Sequence, residues 1–195
     1  MTHMQTAEHA HHEDPTVFGF WVYIMSDCVL FASLFATYAV LHNSTAGGPA
    51  AHGLFSLPFI LTETLILLTS SFTCGLTMVA AHRARLYQVL IWCCATLLLG
   101  LSFVTLELNE FSRLIHEGHG PAASAFLSSF FTLIGTHGAH VAAGSLWLIT
   151  LMVQLMLWGF TTVTMRRLMC WSLFWHFLDI VWIFIFTIVY FFASI

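Results

Sequence analysis

The fold class is decided by residues 86–111, LYQVLIWCCATLLLGLSFVTLELNEF. This segment carries no charged side chain before Glu107, and its apolar part exceeds the roughly 20 residues that a transmembrane helix needs. It also lacks the period-two alternation of strands in a membrane β-barrel. A helix satisfies all its backbone hydrogen bonds internally. The segment therefore predicts an α-helix that crosses a membrane.

Four further apolar runs resemble this segment in length and composition. They cover residues 18–41, 57–81, 125–157 and 168–193. The intervening residues 43–52 and 117–121 contain the glycine and proline that are typical of loops. We therefore predict an all-α membrane protein in which residues 17–195 form one five-helix transmembrane bundle. Residues 1–16 are predicted to be a polar, histidine-rich, solvated N-terminal tail.

The composition of the whole chain agrees with this prediction. Of its 195 residues, 59% are hydrophobic and 7% are charged. Soluble proteins average about 25% charged residues, so this chain cannot cover a water-facing surface. The five basic residues are all arginine, against nine acidic residues, and the net charge is -4. Nucleic-acid binding is excluded, because it requires a basic surface that neutralises phosphates.

The arginines predict the orientation of the bundle in the membrane. Basic residues concentrate in cytoplasmic connections. With a cytoplasmic N-terminus, the connections that contain Arg83, Arg85, Arg166 and Arg167 lie inside, and only Arg113 lies outside. We therefore expect a cytoplasmic N-terminus and a periplasmic C-terminus.

Besides Glu110 at the end of one span, seven acidic or histidine residues fall within the predicted spans, and neither lysine nor arginine accompanies them. They are Asp27, Glu63, Glu107, His137, His140, His176 and Asp179. Ionisable groups inside a membrane are costly and mark either a functional site or a buried polar contact. The sequence leaves both a structural and a proton-related role open for these side chains.

Depth along the helices predicts which of these residues meet. At about 1.5 Å per residue, Asp27 and His176 lie roughly 12 to 14 Å from the inner ends of two parallel helices. We therefore predict one polar contact between them. Glu63 and Glu107 lie within about 10 Å of the outer ends of their helices and form a different layer.

A metal or haem site is the alternative for the histidines. His137 and His140 are three residues apart and share a helix face, so with His176 they could ligate haem or copper. No neighbouring cysteine or methionine motif completes a recognisable ligand set. We expect no catalytic residue, no metal site and no cofactor site in this chain.

Three segments carry a more specific resemblance. They are FGFWVYIMSDC at residues 18–28, GTHGAHVAAG at 135–144 and WHFLDIVW at 175–182. In this order, and with ELNE at residues 107–110, they resemble subunit III of the haem-copper respiratory oxidases. The resemblance covers almost all of the chain after residue 16. Five helices, with Asp27 at the place of that family's membrane-buried glutamate, resemble the form found in bacterial cytochrome bo-type ubiquinol oxidases.

The resemblance implies a function within a larger assembly. That assembly is a four-subunit, proton-pumping oxidase of the bacterial inner membrane that oxidises ubiquinol and reduces oxygen to water. Haem b, haem o, copper and ubiquinol are then expected in subunit I. This chain would be a non-catalytic subunit that packs mainly against subunit I, beside subunits II and IV, and binds membrane phospholipids.

Three other functions stay open at this point. The chain could be subunit III of a cytochrome c oxidase. It could be a stand-alone five-helix proton transporter, because it has four membrane acids, although an odd helix count and unbroken helices count against this. It could also be a membrane anchor that binds haem through His137, His140 and His176.

Overall fold

The computed structural model of the chain describes residues 15–42, 44 and 57–191. Within these residues the chain forms five α-helices, each long and apolar enough to cross a membrane. They are α1 Pro15–Leu41, α2 Leu57–His82, α3 Leu86–His116, α4 Ala125–Trp158 and α5 Thr162–Ile185, which continues as a π-helical segment, Phe186–Phe191. The predicted all-α, five-helix architecture is confirmed. Residues 1–14 of the predicted tail lie outside the described residues.

The helices are arranged as a ring of four with one helix outside it. In the ring, α2 packs against α3, α3 against α4, α4 against α5, and α5 against α2. Helix α1 lies outside the ring, mainly against α4 and α5. Half of the most apolar window of α5 is buried, compared with 22% for α1. Helix α5 is therefore the most enclosed helix of the bundle.

Two helix ends differ from the sequence prediction. Helix α5 begins at Thr162 and not at residue 168, because Thr161 and Thr164 form a capping box. In this motif the hydroxyl oxygen of each threonine accepts a hydrogen bond from the backbone N–H of the other. Helix α3 continues to His116 and not only to residue 111. Polar residues follow the apolar run there, and an ion pair between Glu110 and Arg113 links successive turns.

The start of α1 also differs by a few residues. The helix begins at Pro15, so Pro15 and Thr16 belong to α1 and not to the tail. Proline is favoured in the first turn of a helix, because the backbone N–H that it lacks has no partner within the helix there. Hydrophobicity alone locates the apolar run and not these polar or capping residues.

Three buried tryptophans connect α5 to its neighbours. Each indole N–H donates a hydrogen bond to another helix. The bonds run from Trp171 to the Gly144 carbonyl oxygen (3.0 Å), from Trp175 to Ser70 Oγ (2.7 Å) and from Trp182 to Thr64 Oγ1 (3.1 Å). Helix α5 is thereby joined once to α4 and twice to α2, and no indole N–H among these three is left unsatisfied.

Two glycines let the ring of Trp175 approach the backbones of α3 and α4. A Cβ atom at Gly100 on α3 would lie 2.8 Å from Cη2 of this ring, and one at Gly144 on α4 would lie 3.1 Å from its Cζ3. The first distance is too short for any real contact between carbon atoms. The close packing at Gly100 therefore depends on glycine's lack of a side chain.

We expect Gly100→Ala to destabilise the bundle by about 1 to 3 kcal/mol, because the added methyl group overpacks a rigid indole. Gly75→Ala on α2 is the matched control, since a Cβ atom there meets nothing within 4 Å. Thermal unfolding of the purified protein in mild detergent measures both variants. Equal stability of the two variants would contradict the packing described here.

Candidate functional site

The seven ionisable residues within the helices separate into four environments. Asp27 meets His140, His137 lies alone in the aromatic core, His176 and Asp179 face α2, and Glu63 lies near Glu107. Each environment is formed by a different set of helices. The structure therefore does not gather these residues into one site.

Asp27 on α1 lies opposite His140 on α4. The ring of His140 is oriented by its Nδ1, which lies 2.7 Å from the carbonyl oxygen of Thr136. A carbonyl only accepts hydrogen bonds, so Nδ1 carries the hydrogen and Nε2 points away from it. This Nε2 lies 3.9 Å from Asp27 Oδ2, which is an electrostatic contact and not a hydrogen bond.

Aromatic rings and one hydroxyl surround this contact. The ring centroid of Phe31 lies 5.3 Å from that of His140, and the ring centroid of Phe174 lies 6.4 Å from it. The Tyr23 hydroxyl, one turn before Asp27, is within electrostatic range of the carboxylate. Asp27 itself is buried, with 6% of its surface exposed. The apolar surroundings strengthen any interaction between the carboxyl and imidazole groups.

The predicted contact between Asp27 and His176 is wrong. His176 faces α2, where its Nδ1 shares a hydrogen bond of 2.6 Å with the hydroxyl of Ser71. Depth along two parallel helices fixes the height of two side chains but not the direction in which each points. Helix α4 lies beside α1, and its His140 takes the place predicted for His176.

Asp179 lies one turn after His176 on the same helix. It is also close to Ser71, but neither of its carboxylate oxygens has a hydrogen-bond partner of good geometry among the described residues. Ser71 is therefore the common neighbour of both side chains. Both side chains therefore interact with α2 at its contact with α5.

His137 is fully enclosed by the aromatic core. Its Nε2 lies 3.2 Å from the carbonyl oxygen of Leu178, and its ring meets Phe103 edge-on at a centroid distance of 5.7 Å. The ring of Trp182 lies 5.1 Å away on another side. The Nδ1 atom has no hydrogen-bond partner among the described residues. His137 thus contributes to packing between α3, α4 and α5.

Glu63 on α2 and Glu107 on α3 lie within electrostatic range of each other. Both are buried, with 3% and 5% of their surface exposed. The carboxylate of Glu107 fits against Gly138 of α4, where an added Cβ atom would lie 2.5 Å from Oε2. The two acids therefore lie near each other, but Glu107 is about 14 Å from the end of α3 and not within the predicted distance of about 10 Å, because the helix continues to His116.

The three histidines do not assemble into a ligand set. His176 faces α2, whereas His137 and His140 face the core and α1. Across residues 15–42, 44 and 57–191 no group of three or more His, Cys, Asp or Glu side chains is arranged to hold a metal ion. This geometry gives no support to a haem or copper site built from these residues.

Sequence reasoning missed several residues that interact with the buried polar and indole groups of the bundle. They are the hydroxyl residues Thr64, Ser70 and Ser71, together with Gly138 and Tyr190. The hydroxyl groups gave little signal, because serine and threonine are frequent in membrane helices and commonly bond their own backbone. The spacing of tryptophans along α5 was the available signal for the partners of Thr64 and Ser70.

Comparison with known proteins identifies the family. The profile of "Cytochrome c oxidase subunit III" matches residues 3–194. The chain belongs to this family. Its predicted resemblance to subunit III of the haem-copper oxidases is thus confirmed, and its five apolar helices are those of a multi-pass membrane protein.

Three relatives illustrate the range of similar proteins. Cytochrome bo(3) ubiquinol oxidase subunit 3 of Pseudomonas aeruginosa is 58% identical over 94% of this chain and 88% of its own length. Quinol oxidase subunit 3 of Bacillus subtilis is 45% identical over 96% of this chain and 97% of its own. Cytochrome c oxidase subunit 3 of Bacillus sp. PS3 is 45% identical over 88% and 83%. The named relatives thus include subunits of both oxidase types.

A pair of double-mutant cycles tests the observed partner of Asp27. We expect Asp27→Asn and His140→Gln to show a coupling free energy of about 0.5 to 1.5 kcal/mol, the range of polar contacts in membranes. Asp27→Asn and His176→Gln should be additive within about 0.5 kcal/mol, because these residues share no partner. Unfolding of the purified variants in detergent measures both. Coupling confined to the second cycle would contradict the structure.

Proposed function

We propose that this chain is the non-catalytic subunit III of a proton-pumping cytochrome bo-type ubiquinol oxidase. The observation that carries the proposal is the 58% identity to cytochrome bo(3) ubiquinol oxidase subunit 3 of Pseudomonas aeruginosa over 94% of the chain. In this function the complex oxidises ubiquinol and reduces oxygen to water. Haem b, haem o, copper and ubiquinol belong to subunit I, and this chain supports that subunit from within the membrane.

The arrangement of polar residues supports an accessory function. Asp27, His137 and His176 each interact with a different neighbouring helix. A polar group that interacts with a neighbouring helix stabilises the bundle. A stand-alone proton transporter would instead need a contiguous pathway of polar groups across the membrane. The separation of these contacts favours a structural subunit over such a transporter.

The surroundings of the chain follow from the same proposal. Subunit I is the main partner, subunits II and IV complete the complex, and phospholipids fill the grooves on the bundle surface. The complex lies in the bacterial inner membrane. The placement of Arg83, Arg85, Arg166 and Arg167 favours a cytoplasmic N-terminus and a periplasmic C-terminus.

A cytochrome c oxidase is the second candidate. It is favoured by the relative from Bacillus sp. PS3, which is 45% identical and is named a cytochrome c oxidase subunit. The two candidates differ in the electron donor of the whole complex. The subunit itself would have the same structural task in either assembly.

Purification of the tagged chain from its native membranes in mild detergent tests the proposal. We expect it to copurify with a haem- and copper-containing complex that consumes oxygen with ubiquinol as donor. Oxygen consumption with reduced cytochrome c, but not with ubiquinol, would favour the second candidate. Recovery of the chain without any oxidase would refute both. The chain expressed alone is expected to show no Soret band and no stoichiometric iron or copper.

Replacement of Asp27 by alanine should shorten the lifetime of the oxidase complex during turnover more than it changes the initial rate. We expect Asp27→Ala to leave the initial rate of quinol oxidation largely unchanged but to shorten the time for which the complex survives turnover. A subunit without a redox centre does not carry electrons, yet it can shield subunit I and support proton supply. Initial rate, proton yield and turnover-dependent inactivation are measured in one preparation.

The control for this variant is Ser26→Ala. The hydroxyl of Ser26 is exposed and bonds only the Tyr23 carbonyl of its own helix, so its loss should change none of the three quantities. An immediate collapse of the oxidase rate in a fully assembled Asp27→Ala complex would reject the accessory function. Abolished proton movement at an unchanged electron-transfer rate would favour a carboxylate on an obligatory proton path.

A further inference from the structure

Glu63 and Glu107 are the two most enclosed acids of the bundle, and no function described above uses them. Glu107 has 5% of its surface exposed, and both its oxygens lack a hydrogen-bond partner among the described residues. Glu63 has 3% exposed, and its Oε1 also lacks a partner there. An enclosed carboxyl group without donors around it needs either a proton or a cation.

The shape of the bundle positions one of these two groups directly. Gly138 on α4 leaves the space that the Glu107 carboxylate occupies, since an added Cβ atom would lie 2.5 and 2.6 Å from its two oxygens. Glu63 approaches from α2 and is within electrostatic range of Glu107. The carboxyl group of Glu107 is therefore positioned by α4, and a second carboxyl group from α2 lies within its electrostatic range.

Among the described residues, a tyrosine and a further acid interact with the pair, and the arginine that follows this acid on α3 forms ion pairs with carboxylates outside the pair. Tyr190, from the π-helical segment, is within electrostatic range of both acids, and Glu110 is within range of Glu63. Arg113, one turn after Glu110, forms ion pairs with Glu110 and Glu117. Tyr38 on α1 interacts with Tyr190, and His137 precedes Gly138 on α4. The described arginine thus already interacts with two other carboxylates.

The same acids form a graded series toward one end of the bundle. Glu107 is nine residues, or about 14 Å, before the end of α3, and Glu110 lies one turn closer to that end on the same face. The side chain of Glu110 is 16% exposed, and that of Glu117, just beyond the helix, is 52% exposed. The exposure of the carboxyl groups therefore increases from Glu107 through Glu110 to Glu117, toward the loop between α3 and α4.

We propose that Glu63 and Glu107 form a proton-binding site, in which both carboxyl groups are protonated and exchange their protons with the aqueous phase through Glu110. A protonated carboxyl group can also donate a hydrogen bond, which a carboxylate cannot do. Protonation also removes the repulsion between two like charges in an apolar bundle. The ligand of this site is the proton, and the Gly138 notch fixes its geometry.

Infrared difference spectroscopy of the intact membrane complex that contains this chain tests the site. The carbonyl stretch of a protonated carboxylic acid is separate from the absorption of a carboxylate. At neutral pH, Glu63→Gln and Glu107→Gln should each remove one acid band, and the double variant should remove both. Glu117→Gln, the matched control at an exposed position, should remove carboxylate absorption only.

Three results would overturn the proposal. Loss of carboxylate absorption in place of an acid band in either variant would show ionised side chains. A stoichiometric metal ion that is present in the wild type and lost in Glu107→Gln would show a cation site. If Glu107→Gln does not assemble, Glu107→Asp keeps an acid one methylene shorter. The proposal requires that Glu107→Asp shifts one acid band. A shift confined to the carboxylate region would overturn the proposal.

Transfer of the same complex into D2O tests the route through Glu110. The acid bands shift when their protons exchange for deuterons, so the time course of the shift reports access to water. Glu110→Gln should slow this exchange, and Glu117→Gln should leave it close to the wild-type rate. An exchange rate that is unchanged in Glu110→Gln would exclude Glu110 as the route.

Discussion

The indole N–H groups of α5 are the interactions on which the bundle most depends. Within a membrane the hydrophobic effect does not drive helices together, so close packing and interhelical hydrogen bonds must do so. Trp171, Trp175 and Trp182 supply both, because each combines a large buried ring with one donor that reaches a neighbouring helix. The ring of four helices is therefore held together mainly through α5.

The glycines of α3 and α4 are complements to these large side chains. Gly100 admits the ring of Trp175 to the backbone of α3, and Gly144 provides both space for the same ring and a carbonyl acceptor for Trp171. Gly138 admits the carboxyl group of Glu107 in a comparable way. Small residues in this bundle thus define where a ring or an acid can lie, and the larger partner fills the space.

Sequence predicted the number of helices and the family, because apolar length and three ordered motifs are properties of the chain alone. It predicted helix ends less well, since the cap at Thr161 and the polar end of α3 are made by residues without a hydrophobic signal. It failed for the partner of Asp27, because residue spacing gives depth but not the relative rotation of two helices. That rotation is set by packing, which places His140 opposite Asp27.

The position of helix α1 in the bundle affects the order in which helix contacts form during synthesis. Helix α1 leaves the ribosome before the other four described helices, and its main partners, α4 and α5, are synthesised only after α2 and α3. Contacts between such distant segments form late, after the chain between them has been inserted. During synthesis, Asp27 is therefore inserted into the membrane before the imidazole of His140 is present. The period in which this carboxyl lacks its partner is fixed by the order of the helices, and it ends when α4 docks against α1.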